Sequence, residues 1–122
     1  MSLYNEISFT KFVNSLPGVT RVDQWESHVA KVGGKVFVLL NTNKEGKSSF
    51  SFKVNETSFQ MMTSQNGVGQ APYFAKGKWV AVSEQANFSV ADLRAYIAQS
   101  HKLVAAGLTK KLRNELGIPI DG

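Results

Sequence analysis

Two glycine bends in this sequence carry lysines on both sides. Lys31 and Lys35 flank Gly33-Gly34, and Lys76 and Lys78 flank Gly77. Glycine lets a turn take positive φ and lets the backbone approach a ligand, and an ammonium at such a tip contacts phosphate oxygens. A third basic group, Lys110, Lys111 and Arg113 with Lys102 upstream, meets only Glu115 nearby. Such a cluster attracts polyanions. Each group also has a plainer reading. Turn lysines solubilise a surface and discourage edge pairing, and cations near helix C-termini offset the macrodipole. Trp79, next to Lys78, and Trp25 carry rings of the kind that stack on an unpaired base. The alternation of Trp79 with Val80 and Val82 gives Trp79 a competing place over the core.

Other chemistries lack their residues. There is no cysteine, which excludes disulfides, thiol catalysis and Cys-ligated zinc. His28 and His101 form no HxH or HxxxH pair, so no metal site is expected. GxGxxG, GxxxxGK[ST] and GxSxG are all missing. Gly67-Val68-Gly69 lacks a third glycine and reads as a loop, which removes a dinucleotide turn. Scattered Ser, His and Asp do not make a triad. Asp23 and Glu26 lie in a segment that reads as loop, where solubility accounts for them better than acid/base work. The expectation is a protein that is not an enzyme and holds no cofactor.

The chain has 122 residues, Lys+Arg 14 against Asp+Glu 9, and a formal charge of +5. That length suits one domain, residues 1–122, burying roughly two-thirds of its unfolded surface. With 43% hydrophobic and 19% charged residues, it reads as globular. The longest apolar run, Val36 to Leu40, falls far short of the about 20 residues a membrane helix needs. Met1-Ser2-Leu3-Tyr4-Asn5-Glu6 has no basic stretch leading into an apolar one, so a cytoplasmic protein is expected.

The elements that must hold the lysines follow from periodicity. Phe9, Phe12, Val13 and Leu16 form one helical stripe, which predicts a helix over about 3–15, stopped by Pro17-Gly18. Residues 28–32 and 35–41 read as strands joined by a tight Gly33-Gly34 hairpin. Ser49 to Val54 alternates, with Phe50, Phe52 and Val54 on one face. Asn55 caps a short helix at 56–64. Tyr73 to Ala75 and Lys78 to Val82 read as strands around a tight Lys76-Gly77 turn. Ser89 and Asp92 form a capping box, with Leu93, Tyr96, Ile97, Ser100 and Val104 following at helical spacing. A last short helix is expected at 110–116. The order α-β-β-β-α-β-β-α, plus a short C-terminal helix, predicts an α+β two-layer sandwich: an antiparallel sheet covered by helices on one face.

Several segments together resemble a known family. These are Leu16-Pro17-Gly18-Val19 with Asp23 and Trp25, Lys31-Val32-Gly33-Gly34-Lys35 with Phe37, and Ala71-Pro72-Tyr73-Phe74-Ala75-Lys76 with Lys78-Trp79-Val80. The C-terminal part adds Ser100, Leu103-Val104, Leu108, Lys110-Lys111-Leu112-Arg113 and Leu116-Gly117. In order and spacing, from about residue 7 to residue 117, they are similar to the YjbR/MmcQ-like family of small bacterial proteins. The resemblance implies a compact α+β fold with two projecting wings and DNA binding, and it carries over no catalytic residues. Ala30, His101, Thr109 and Gly77 depart from the family pattern, and Gly77 leaves fewer cations at the second turn. The functional expectation is a non-enzymatic DNA-binding module. Lys31, Lys35, Lys76, Lys78, Lys110, Lys111 and Arg113 would contact phosphates, with Trp79 beside them. The alternative is a protein-interaction or chaperone-like adaptor using the sheet face or an apolar groove.

Overall fold

Ser49-Phe50-Ser51-Phe52 does what period-two patterning dictates: both phenylalanines are fully buried on one face of a central strand. The computed structural model describes residues 3–24, 27–43 and 45–118. Its elements are α1 (Glu6–Asn14), β1 (Val19–Gln24), β2 (Ser27–Val32), β3 (Lys35–Thr42), β4 (Ser48–Lys53), α2 (Glu56–Thr63), β5 (Val68–Gln70), β6 (Trp79–Ser83), α3 (Val90–Ala105) and α4 (Lys110–Glu115). The strands form one six-stranded sheet in the order β1-β2-β3-β4-β6-β5, every neighbouring pair antiparallel. Phe9 and Val13 of α1, Met62 of α2 and Leu93, Ile97 and Val104 of α3 join Ala30, Val38, Leu40, Phe50, Phe52, Val80 and Val82 in one core cluster. Those strand residues share one face of the sheet, so the fold is the expected two-layer α+β sandwich.

Local signals start the helices where the sequence places them. The Asn5 side chain accepts from the backbone N–H groups of Ile7 and Ser8, so α1 begins at Glu6 rather than at residue 3. Asn55 accepts from Ser58 N–H. Ser89 and Asp92 bond reciprocally as the expected capping box.

Two strands differ from expectation. Residues after Pro17-Gly18 form the edge strand β1 instead of a loop. Its apolar content is only Val19 and Val22, and pairing with β2 stabilises it where local pattern is weak. The partner of β6 is β5, residues 68–70, and Tyr73–Ala75 is not a strand. Pro72 lacks a ladder donor, and Tyr73 takes φ 68, a left-handed conformation costing a non-glycine residue about 1–2 kcal/mol. The connection from β5 to β6, residues 71–78, is therefore a broad loop, and the expected tight Lys76-Gly77 turn stands within it, closed by Lys78 N–H donating to Ala75 O at 3.2 Å with Gly77 at φ 78.

One irregularity shapes the first hairpin. Ala30 pairs with Val38 and Lys31 with Val36, which leaves Phe37 as an extra residue on β3. Such a bulge bends and twists its strand. It also turns both Phe37 and Val38 into the core. The buried Ser100 hydroxyl serves the bulge, donating to Phe37 O at 2.6 Å and accepting from Lys53 N at 2.9 Å. Leaving either buried group unpaired costs about 1–3 kcal/mol.

Candidate nucleic-acid interface

Strand register decides where the cations go. Val19 opposes Val32, Val32 opposes Lys35, Val38 opposes Phe52, and Lys53 opposes Trp79. The Gly33-Gly34 turn and the 71–78 loop therefore leave the sheet at the same end. Lys31, Lys35, Lys53, Lys76 and Lys78 all lie at or beyond that end. The two projections are separated by three strand spacings, roughly 14 Å, close to the about 12 Å width of the major groove of B-DNA.

The first projection is packed against the C-terminal helices. A Cβ placed on Gly33 would lie 2.6 Å from Leu108 Cδ1, and one on Gly107 would lie 3.9 Å from Lys35 Nζ. The hairpin tip thus rests on the turn joining α3 to α4, and the Lys35 ammonium faces the negative end of α3. Lys110 and Lys111 follow at once, exposed in the first turn of α4, with Thr109 as the cap. The macrodipole accounts for Lys102, in the last turn of α3, and for Arg113, in the last turn of α4. It does not account for Lys110 and Lys111, whose charge adds to the positive end of α4. Arg113 departs from the expected outward cluster. Its Nε is buried and has no hydrogen-bond partner among the described residues, and the residue lines a cavity of about 720 Å³ with Leu16, Pro17, Gln99 and Lys102.

The second projection is held by one side chain. Gln70 Nε2 donates to Ala71 O at 2.8 Å, with Phe74 O at 3.3 Å and Ala75 O at 3.4 Å, and Gln70 Oε1 accepts from Gly77 N at 3.0 Å. Phe74 stacks on Trp79 with centroids 4.1 Å apart and planes at 17°. Trp79 is only 8% exposed. This corrects the expectation that Trp79 meets a base: Phe74 occupies a face of its ring, and what remains is largely buried. Trp25 lies outside the described residues, as does Glu26. Lys76 and Lys78 are exposed. Among the described residues, no ion pair involves them or Lys31, Lys35, Lys110 or Lys111.

Acidic groups gather at the other end. Asp23 sits near the end of β1, Glu45 in the β3–β4 hairpin, Glu84 just after β6 and Asp92 in the first turn of α3. Lys47 and Arg94 accompany them, and Glu56 and Glu115 stay toward the basic end. Glu6, Asp23 and His28 bring ligand atoms within 4.8 Å of one another, a juxtaposition invisible while residues 19–24 read as a loop. Arg21 supplies the cation there, with Nη1 2.7 Å from Asp23 Oδ1 and Nη2 3.6 Å from Glu6 Oε2. His28 Nδ1 lies 2.8 Å from Asp23 Oδ1 and 2.8 Å from Arg21 Nη2, so it either donates to the first or accepts from the second.

The hydrogen bonds from His28 and then Arg21 hold the Asp23 carboxyl below its ordinary 3.8. Such a group stabilises the fold above the unfolded value, and the contribution is lost as pH falls below it. Asp23→Asn is therefore expected to narrow the loss of stability between neutral pH and pH 3, read as the drop in urea midpoint. An equal drop in both proteins would remove this assignment. His101, 4% exposed, is structural: its Nε2 donates to Pro17 O at 2.8 Å, and its ring meets Phe37 edge-on.

Among the described residues, no helix is long and apolar enough to cross a membrane. A crystal structure of a Deinococcus radiodurans protein with the family domain DUF419 superposes with TM-score 0.79 over 95% of this chain and 91% of that one, at 22% identity. A Pseudomonas syringae protein of known structure superposes with TM-score 0.67, covering 81% of this chain and 97% of that one, at 15% identity. Both likenesses show the shared α+β fold. No curated protein sequence matches. The YjbR family model matches residues 14–103. That span runs from the end of α1 through both glycine projections to the last turns of α3, and the chain belongs to the YjbR family.

Proposed function

We propose that this protein is a non-catalytic DNA-binding module whose contact surface is its basic end. The observation that carries the reading is the register: both projections leave one end of the sheet, beside Lys110 and Lys111, while most acidic groups lie at the other. Phosphate contacts come from Lys31, Lys35, Lys76, Lys78, Lys110 and Lys111. The tips carry neither Arg nor Asn to read a base edge, so affinity rests on the backbone and little on sequence.

A fluorescence-polarisation titration with duplex and single-stranded DNA across a salt series tests this. Neutralising about five phosphates gives a slope of log K against log salt near −4.5, and a fourfold salt rise then weakens binding about 500-fold. An affinity indifferent to salt would contradict the mechanism. The apolar-walled cavity beside α3 favours the second reading, a protein-binding adaptor, and that reading predicts a partner captured independently of salt.

A further inference from the structure

We propose that Tyr73 is a base-stacking residue, and that it directs the basic end toward single-stranded DNA. The inference rests on the phosphate-binding reading above and deepens it.

Tyr73 is fully exposed, at 104% of its reference area, and among the described residues its ring meets no other ring. It is also the one non-glycine residue at positive φ among those described, at 68°. The surrounding loop is not loose. Gln70 ties four backbone groups together, Ala71 N–H bonds to Trp79 O at 3.1 Å, and Lys78 N–H bonds to Ala75 O at 3.2 Å. Its neighbour Phe74 is turned inward onto Trp79. A braced loop thus holds one aromatic ring entirely in water, in a strained conformation, without a packing return. Lys76 and Lys78 stand in the same loop. An aromatic face beside cations that track the backbone is the arrangement that binds unpaired bases: every base has a π-face, whereas bases in a duplex are already stacked.

The test compares three ligands of equal length: a thymidine oligonucleotide, its abasic counterpart and a blunt duplex. The wild-type protein is expected to bind the thymidine strand more tightly than the abasic strand. Tyr73→Gly should lose about 5- to 150-fold in affinity for the thymidine strand, the range for removing one stacking ring. It should leave abasic binding and the salt slope unchanged. Tyr73→Phe keeps the ring and should keep the affinity. Glycine suits the positive φ, so Tyr73→Gly should unfold no earlier than wild type; a residue serving the fold would do the opposite. Equal affinity of wild type and Tyr73→Gly for the thymidine strand would overturn the inference, with the phosphate reading intact. Failure of all three ligands to bind the wild type would overturn both.

Discussion

On the proposed DNA-binding reading, Lys76→Glu with Lys78→Glu is expected to lower DNA affinity by about 25-fold or more at physiological salt. Each phosphate contact contributes about 0.9 to the slope of log K against log salt, which at 0.15 M amounts to roughly fivefold per contact. Reversal adds repulsion to the loss of attraction, so the figure is a lower bound. The slope itself should fall by about 1.8. Lys110→Glu with Lys111→Glu should act by the same amount, because those lysines lie at the same end without a dipole role. All four side chains are exposed, so stability should move by no more than about 0.5 kcal/mol. Lys47→Glu, a reversal at the opposite end, is the matched control for Lys76→Glu alone and should leave both affinity and slope nearly as they were. Equal effects from Lys47→Glu and from Lys76→Glu alone would mean that net charge, and not a basic end, governs binding.

Gly33→Ala destabilises the protein by about 2–5 kcal/mol, while Gly34→Ala costs about 1–2 kcal/mol. Both glycines have positive φ, +57° and +82°, and that conformation alone costs a residue with a Cβ about 1–2 kcal/mol. The difference is space. A Cβ on Gly34 meets nothing within 4 Å, whereas one on Gly33 lies 2.6 Å from Leu108 Cδ1 and 2.9 Å from Leu108 Cδ2. Leu108 is itself buried, so relief requires overpacking or withdrawal of the hairpin, worth about 1–3 kcal/mol. Urea denaturation of the two variants reads the contrast directly. Similar midpoints would show that Leu108 yields without cost. Gly33→Ala should also lower DNA affinity, because the tip carrying Lys35 loses its seat beside Lys110 and Lys111.

Much of this architecture was legible because its signals are local. The capping box at Ser89 and Asp92, the alternation through Phe50 and Phe52, and the Gly33-Gly34 hairpin each declare themselves within a few residues, and the structure contains all three. β1 escaped because Val19 and Val22 give no strict alternation, and its formation depends on β2. β5 escaped because a strand of 3 residues with a glycine at its centre has no pattern of its own. The aromatic pair at Tyr73 and Phe74 imitated a strand, although Pro72 before it and a left-handed backbone at Tyr73 exclude one. These misreadings affected the site. Reading β1 as a loop hid the grouping of Arg21, Asp23, His28 and Glu6, and reading 73–75 as a strand hid the exposed tyrosine. The cations were identifiable by type, but their sharing one end is a property of register, which only long-range pairing sets. The inward turn of Arg113 likewise depends on how α4 settles beside α3.

The separation of acidic and basic groups along the strand direction has a consequence before any contact is made. A body whose lysines crowd one end while most of its carboxylates lie at the other has a permanent electric moment, and near a polyanion it experiences a torque as well as an attraction. Within a Debye length, about 8 Å at physiological ionic strength, that torque turns the molecule so that Lys35, Lys76 and Lys110 lead and Asp23, Glu45 and Glu84 trail. If the basic end is the DNA-contacting surface proposed above, rotational search is shortened and a larger share of collisions arrive with that surface foremost.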